Sequence, residues 1–150
     1  MIVYRITLEK WSYNLFASGN SGRWNSKGNY VIYTASSRSL ACLENLVHRS
    51  GEGLNSLFKI IEIEIPDDLK ISEIKKNELE KDWFESTKYL YCQNLGDKWI
   101  RANKFCVLKV PSSIITEENN YILNYYHPDF KKIKIIRITD FLFDNRLMTK

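Results

Sequence analysis

Three places in this sequence hold residue types that could do chemistry. Between residues 37 and 49 apolar side chains recur at helical spacing, with Leu40, Leu43 and Val47 on one face. Glu44 falls between Leu40 and the edge of that face. An ionised carboxylate against an apolar stripe is costly unless it is paired or used. His48, one turn on, is a candidate neighbour. The competing structural reading is a glutamate at the margin of the stripe that reaches solvent. The second place is Gly22-Arg23-Trp24-Asn25, where an arginine beside glycine suits a two-pronged grip on a phosphate or carboxylate. A surface turn whose Trp24 plugs the core is the commoner use of such a tetrapeptide. The third is Val110-Pro111-Ser112-Ser113, with hydroxyls at the tip of a strand ended by proline, which ordinary turn chemistry also explains.

Other chemistries lack their residues. No G-x-S-x-G occurs, so there is no nucleophile elbow. His48 and His127 are too few for a metal motif, and Cys42, Cys92 and Cys106 are widely spaced without a C-x-x-C pair. No metal centre and no dithiol site are expected. The cysteines read as small, reduced core or near-surface residues.

The candidates must be held by the elements around them. Residues 2–8 are β-branched and aromatic and read as a strand. Residues 9–29 lack periodicity, and Gly19, Gly22 and Gly28 help mark a long loop of a length that is usually functional. Residues 30–34 read as a second strand. Ser36 or Ser37 can cap the helix carrying Glu44, which runs to about Arg49 with Gly51 as its stop. Residues 57–65 read as a strand with Ile61, Ile63 and Ile65 facing one way and Glu62 and Glu64 the other, ended by Pro66. Asn77-x-x-Glu80 resembles a capping box and predicts a helix through about Lys88, and a further short helix includes Trp99 and Ile100. Residues 105–110 form a strand stopped by Pro111, residues 121–125 are ambiguous, and residues 134–139 form a last strand. Helices and strands are interspersed without regular βαβ spacing. The predicted class is mixed α/β (α+β), with a partly antiparallel sheet.

A chain of 150 residues is the size of one domain, expected here to span residues 1–150. Hydrophobic residues at 44% and charged residues at 27% exclude a disordered or collagen-like chain. Charged residues interrupt every apolar run short of a membrane span. The start, Met1-Ile2-Val3-Tyr4-Arg5, lacks the basic region and apolar core of a secretory signal, so the expected location is the cytoplasm. A net charge of +4 suits an anionic small molecule or an acidic partner without establishing nucleic-acid binding. The densest basic run, Lys131-Lys132-Ile133-Lys134, reads equally as a lysine-dressed strand edge and as a phosphate track.

A set of motifs, in order along nearly the whole chain, resembles the RES domain family, named for its Arg, Glu and Ser. The early ones are Val3-Tyr4-Arg5-Ile6, Gly22-Arg23-Trp24-Asn25, Ile32-Tyr33-Thr34-Ala35 and Leu40-Ala41-x-x-Glu44. The later ones are Gly96-Asp97-Lys98-Trp99, Val110-Pro111-Ser112, Asn124-x-x-His127-Pro128-Asp129 and Phe143-Asp144-x-Arg146. Tyr125 departs from the pattern, which often has Pro after the Asn. Members of that family are the toxin halves of bacterial toxin–antitoxin pairs. The resemblance implies a fold like that of ADP-ribosyltransferases, a mixed sheet around a nucleotide cleft. It implies cleavage of the nicotinamide–ribose bond of NAD, by a glycohydrolase or phosphorylase, or transfer of ADP-ribose to a protein.

On that resemblance Glu44 serves the ribose and its oxocarbenium-like charge. Arg5 and Arg23 serve the pyrophosphate. Tyr33 packs on a ring or fixes the ribose, Ser112 orients the nicotinamide side, and Asn124 contributes to NAD binding. Glu62-x-Glu64 mimics the paired glutamates of arginine-specific ADP-ribosyltransferases but reads as two outward residues of an alternating strand. NAD is then a substrate, with no further cofactor and no metal. The glycine-rich loop before Arg23 lacks G-x-G-x-x-G, consistent with a cleft that is not a Rossmann fold. The implied partners are a cognate antitoxin and further copies of the chain, with nucleic acid reached only through the antitoxin and no membrane. A rival of another class is a non-catalytic module that binds an antitoxin or nucleic acid through its basic strand.

Overall fold

Seven strands form one sheet in the computed structural model, which describes residues 1–48 and 57–148. The elements in chain order are β1 (Ile2–Leu8), β2 (Val31–Ala35), α1 (Arg38–His48), β3 (Phe58–Glu64), β4 (Ile71–Glu73), α2 (Tyr89–Ala102), β5 (Val107–Pro111), β6 (Asn119–Asn124) and β7 (Lys134–Phe141). Across the sheet the order is β4-β5-β6-β2-β1-β3-β7, antiparallel except for the β4–β5 pair. The mixed α/β class expected from the sequence is the class observed.

Both helices lie on one face. The cross-strand pairs Tyr4↔Ala35, Tyr33↔Ile122 and Leu108↔Ile122 put those side chains on a common side. There Ile6, Ala35 and Ile60 pack against Leu40 and Ala41 of α1, while Val31, Leu108 and Ile122 pack against Cys92 and Trp99 of α2. The opposite face buries Val3, Ile32, Ile61 and Leu123 under Ala17, Leu69 and Ile133. Ser37 is the residue that caps α1, its Oγ accepting from the Leu40 N–H at 3.1 Å. The predicted end at Arg49 and Gly51 lies outside the described residues. The buried side of α1 is not the predicted stripe: Val47 is 60% exposed, and Leu40 and Ala41 meet the sheet instead. Glu44, four residues after Leu40, therefore faces the sheet and not solvent.

The helix predicted over residues 77–88 does not form. Lys76–Glu78 and Ser86–Lys88 are single 3-10 turns, and the Glu78 carboxylate, not that of Glu80, accepts from the Lys75 N–H at 2.9 Å. Trp83 is buried in this stretch with Trp24 and Trp99, so burial of a large indole decides the path of the chain. The short helix predicted around Trp99 is the 14-residue α2. Strand β4 carried no sequence signal, and the ambiguous stretch 121–125 belongs to β6, an interior strand. In β3 the isoleucines alternate as predicted, but Glu62 is buried against Arg38 and lies 3.7 Å from Arg137. It is neutralised on the helix-bearing face, while Glu64 is exposed. The basic run divides between a turn and the edge strand β7, with Lys132 held by Asp129 at 3.0 Å and Asp68 at 3.6 Å.

One irregularity of the sheet matters for function. β1 pairs with β3 along its whole length, and β2 pairs with β6 from Val31 to Ala35, yet β1 and β2 register only at Tyr4↔Ala35. Beyond that point the two central strands part.

Candidate active site

A cavity of about 430 Å³ lies where β1 and β2 part. Its lining includes Arg5, Arg23, Tyr33, Glu44, Tyr89 and Asn120. Arg5 alternates with Tyr4 and Ile6 along β1, yet all three reach the cavity. Side chains of opposite sheet faces can share one cavity only because the sheet is open there. Apolar walls with a few convergent polar groups are the usual form of a ligand site.

Glu44 is the centre of a hydrogen-bonded cluster. Its Oε1 accepts from Ser112 Oγ at 2.9 Å and from Asn120 Nδ2 at 2.5 Å, and its Oε2 lies 3.3 Å from His48 Nε2. Burial alone would raise its pKa, but the bonds from His48, Asn120 and Ser112 outweigh that and hold it below the ordinary glutamate range. Glu44 is therefore an anion at neutral pH. Asn120 completes the orientation while its own Oδ1 is buried without a hydrogen-bond partner among the described residues. Nothing in the sequence had singled out Asn120, because an asparagine at a strand start is ordinary.

The arginine loop is fixed by three separate anchors. The Tyr33 hydroxyl donates to Asn25 Oδ1 at 2.7 Å and accepts from the Trp24 N–H at 2.9 Å. Burial first of all pushes the Tyr33 phenol well above its usual range, so it stays protonated. The Asp97 carboxylate accepts from Ser26 N–H at 3.0 Å, Ser26 Oγ at 2.6 Å and Asn29 Nδ2 at 2.7 Å. Gln93 Nε2 donates to the Gly22 carbonyl at 2.9 Å. Close approach needs glycine twice: a Cβ on Gly22 would lie 2.6 Å from the Tyr33 hydroxyl, and one on Gly96 would lie 1.8 Å from the Trp24 carbonyl oxygen. Thus Gly96-Asp97 of α2 serves as a seat for the loop. The plug reading of Trp24 is also correct, since its ring is buried with Trp83.

Arg23 itself leans on the Tyr89 ring at 4.4 Å and donates from one guanidinium nitrogen to the carbonyls of Trp83 and Glu85, at 3.0 and 3.1 Å. Its Nε is buried without a hydrogen-bond partner among the described residues. Arg5 donates to the Phe16 carbonyl at 3.1 Å, and burial lowers its pKa to about 10, which leaves it charged at neutral pH. Neither arginine has a carboxylate within 4.0 Å among the described residues, whereas Arg38, Arg137 and Arg146 each do. Two cations held by neutral carbonyls and open to one cavity are suited to an anionic ligand.

Two expected site residues lie elsewhere. Ser112 is 0% exposed and does not line the cavity; its hydroxyl proton goes to Glu44, and its oxygen accepts from the N–H groups of Ile114 and Ile115 at 3.0 and 3.2 Å. Its neighbour Ser113 lines the cavity instead. Ser112 thus spends its hydroxyl proton on the Glu44 carboxylate. Asn124 is buried at the far end of β6, outside the cavity lining, where Nδ2 donates to Asn103 Oδ1 at 3.1 Å. That bond supports Asn103, whose left-handed backbone ends α2. Among the described residues no three His, Cys, Asp or Glu side chains are grouped to hold a metal ion, and no helix is long and apolar enough to cross a membrane.

Comparison with known proteins agrees with the motifs. The RES domain family matches residues 2–144. "Prs ADP-ribosylating toxin" of Sphingobium sp. (strain YBL2) is 37% identical over 131 residues, which cover 86% of this chain and 81% of that protein. "Toxin Res" of Yersinia enterocolitica is 33% identical over 152 residues, 98% of this chain and 99% of that protein. Among solved structures, a chain of the M. tuberculosis MbcT–MbcA toxin–antitoxin complex superposes with a TM-score of 0.76 at 18% identity, over 94% of this chain and 84% of its own, a likeness of fold. With the family matched from the first strand to beyond the last, and its four early motifs lining one cavity, this protein belongs to the RES domain family.

Proposed function

We propose that this protein is the toxin of a toxin–antitoxin pair and that it cleaves the nicotinamide–ribose bond of NAD. The observation that carries the reading is one cavity lined by a carboxylate held ionised and by two arginines that have no acid partner among the described residues. NAD joins an anionic pyrophosphate to a cationic nicotinamide ribose, so it needs both signs of charge in one site. Arg5 and Arg23 suit the pyrophosphate, and the planar guanidinium of Arg23, held against the Tyr89 ring, lines the same cavity. Glu44 suits the ribose. When the glycosidic bond breaks, its electron pair leaves with nicotinamide, which departs neutral, and positive charge gathers on the ribose carbon. An ionised Glu44 stabilises that oxocarbenium-like charge, and no protonation of the leaving group is required. The acceptor then adds to the ribose carbon and loses a proton.

Water or phosphate as acceptor makes the protein a glycohydrolase or phosphorylase. A protein side chain as acceptor is the second reading, favoured by the Sphingobium relative, which is named an ADP-ribosylating toxin. The complex in which the structural neighbour was solved supports a cognate antitoxin for this chain. The test is to incubate the purified chain with NAD and follow free nicotinamide. Release accompanied by ADP-ribose, by its phosphorylated form or by labelled protein assigns the acceptor. NAD left intact in water, in phosphate and in cell extract would overturn the proposal.

A further inference from the structure

The motif Asn124-x-x-His127-Pro128-Asp129 takes no part in the cavity that holds Glu44, and it borders a second one. This second cavity, about 230 Å³, shares no lining residue with the first. Its polar lining is Lys70, Lys104, Lys132, His127, Asp68 and Asp129.

His127 is the informative residue. Its side chain is 8% exposed, and its Nδ1 accepts from the Asp129 N–H at 3.1 Å, capping the turn that begins at Pro128. That bond puts the proton of the neutral ring on Nε2. Nε2 has no hydrogen-bond partner among the described residues and is not sealed in the core, so its N–H opens on the cavity that His127 lines. A ring N–H that solvent reaches at a cavity wall, on a side chain otherwise almost wholly covered, is available to an acceptor from outside the chain.

The charges at the wall favour an anion. Lys132 lies 3.0 Å from Asp129 and 3.6 Å from Asp68, so one lysine faces both aspartates. Lys70 and Lys104 have no carboxylate within 4.0 Å among the described residues, and Lys104 Nζ lies 5.5 Å from the Phe105 ring centre. The lining sets three lysines against two aspartates, a net positive charge.

We propose that this cavity is a second binding site, for a tetrahedral oxyanion, with His127 Nε2–H and the ammonium groups of Lys70 and Lys104 as its donors. The ligand chemistry is a phosphate group, either inorganic phosphate or the terminal phosphate of a nucleotide. The site needs no property of the Glu44 cavity and stands apart from the NAD reading.

The experiment is a titration of the full chain followed by proton–nitrogen correlation spectra, with chloride at matched ionic strength as the reference. Potassium phosphate is expected to give saturable shifts at the His127 imidazole and at the amides of Lys104 and Phe105. ADP read at the same signals distinguishes the sources: tighter binding than phosphate assigns a nucleotide, and equal or weaker binding assigns the free ion. The double variant Lys70→Ala/Lys104→Ala, which removes two exposed side chains, is expected to weaken binding about tenfold or more. His127→Asn keeps an acceptor for the Asp129 N–H while withdrawing the Nε2 donor, and is expected to weaken binding in a chain that still folds. Shifts that chloride reproduces, that do not saturate with either phosphate or ADP, or that persist unchanged in the double variant would overturn the site.

Discussion

Ser112 gives its only hydroxyl proton to Glu44 across 68 residues of sequence, at 2.9 Å. The bond ties the turn after β5 to the cavity side of α1 and fixes which way the carboxylate points. A fully buried hydroxyl that also accepts two backbone N–H groups cannot turn away from that task. Glu44 is therefore aimed before any ligand arrives, the condition under which an electrostatic group contributes most to a transition state.

Glu44→Gln keeps the shape of the side chain and removes its charge. The variant is expected to stay folded, with a modestly lower melting temperature at neutral pH, and to lose on the order of 10²-fold or more in nicotinamide release. Near wild-type turnover in a folded variant would remove Glu44 from the chemistry.

The same carboxylate predicts the acid limb of stability. Its folded-state pKa lies below the ordinary value of 4.5, so its contribution is complete above that value and is lost as pH falls through the folded one. Melting curves of wild type and Glu44→Gln should differ by a constant amount above about pH 5 and converge below it. Divergence on acidification would contradict the hydrogen-bonded anion.

Ser112→Ala should separate positioning from contact. It leaves the Ile114 and Ile115 N–H groups without their acceptor and costs about 1–3 kcal/mol of stability. Turnover is expected to fall while KM for NAD stays within about twofold, because the residue does not line the cavity. A large rise in KM with kcat intact would return Ser112 to direct nicotinamide binding.

Arg23→Lys is expected to be far from conservative. Lysine cannot spread over Tyr89, reach the carbonyls of Trp83 and Glu85 and still offer further donors to a ligand. Weaker NAD binding with an unchanged melting transition is the expected result, measured by calorimetry and thermal melting. Full affinity would reduce Arg23 to a loop residue.

Gly96→Ala tests the seat beneath that loop. The added Cβ would fall 1.8 Å from the Trp24 carbonyl oxygen, so either α2 or the loop must move. Both a lowered melting temperature and lost NAD binding are expected. Ala at this position with wild-type affinity would show that the loop is held without α2.

The local parts of this protein were determined by the sequence itself. Ser37 as a cap, the isoleucine alternation of β3 and the glycines around Arg23 are effects within a few residues, where spacing and side-chain type decide the outcome. The ordered motifs also picked out Glu44, Arg5, Arg23 and Tyr33, which do line one cavity.

What only the tertiary structure decided depends on partners far apart in the chain. Whether Glu44 faces solvent or the sheet turned on the packing of α1, and Val47 emerged exposed because the sheet meets Leu40 and Ala41. Asn77-x-x-Glu80 had a helical start signal, but burial of Trp83 in one cluster with Trp24 and Trp99 outweighed a few tenths of a kcal/mol of local propensity. Asn120 and Asn124 are alike in sequence and sit four residues apart on β6, yet one meets Glu44 and the other Asn103. Strand position sets which long-range neighbour each finds. The cavity itself has no sequence signal, because it comes from two central strands that pair at a single register and then part. Local preference shapes elements over a few residues, whereas a site is made by contacts between elements, and those exist only once the chain has folded.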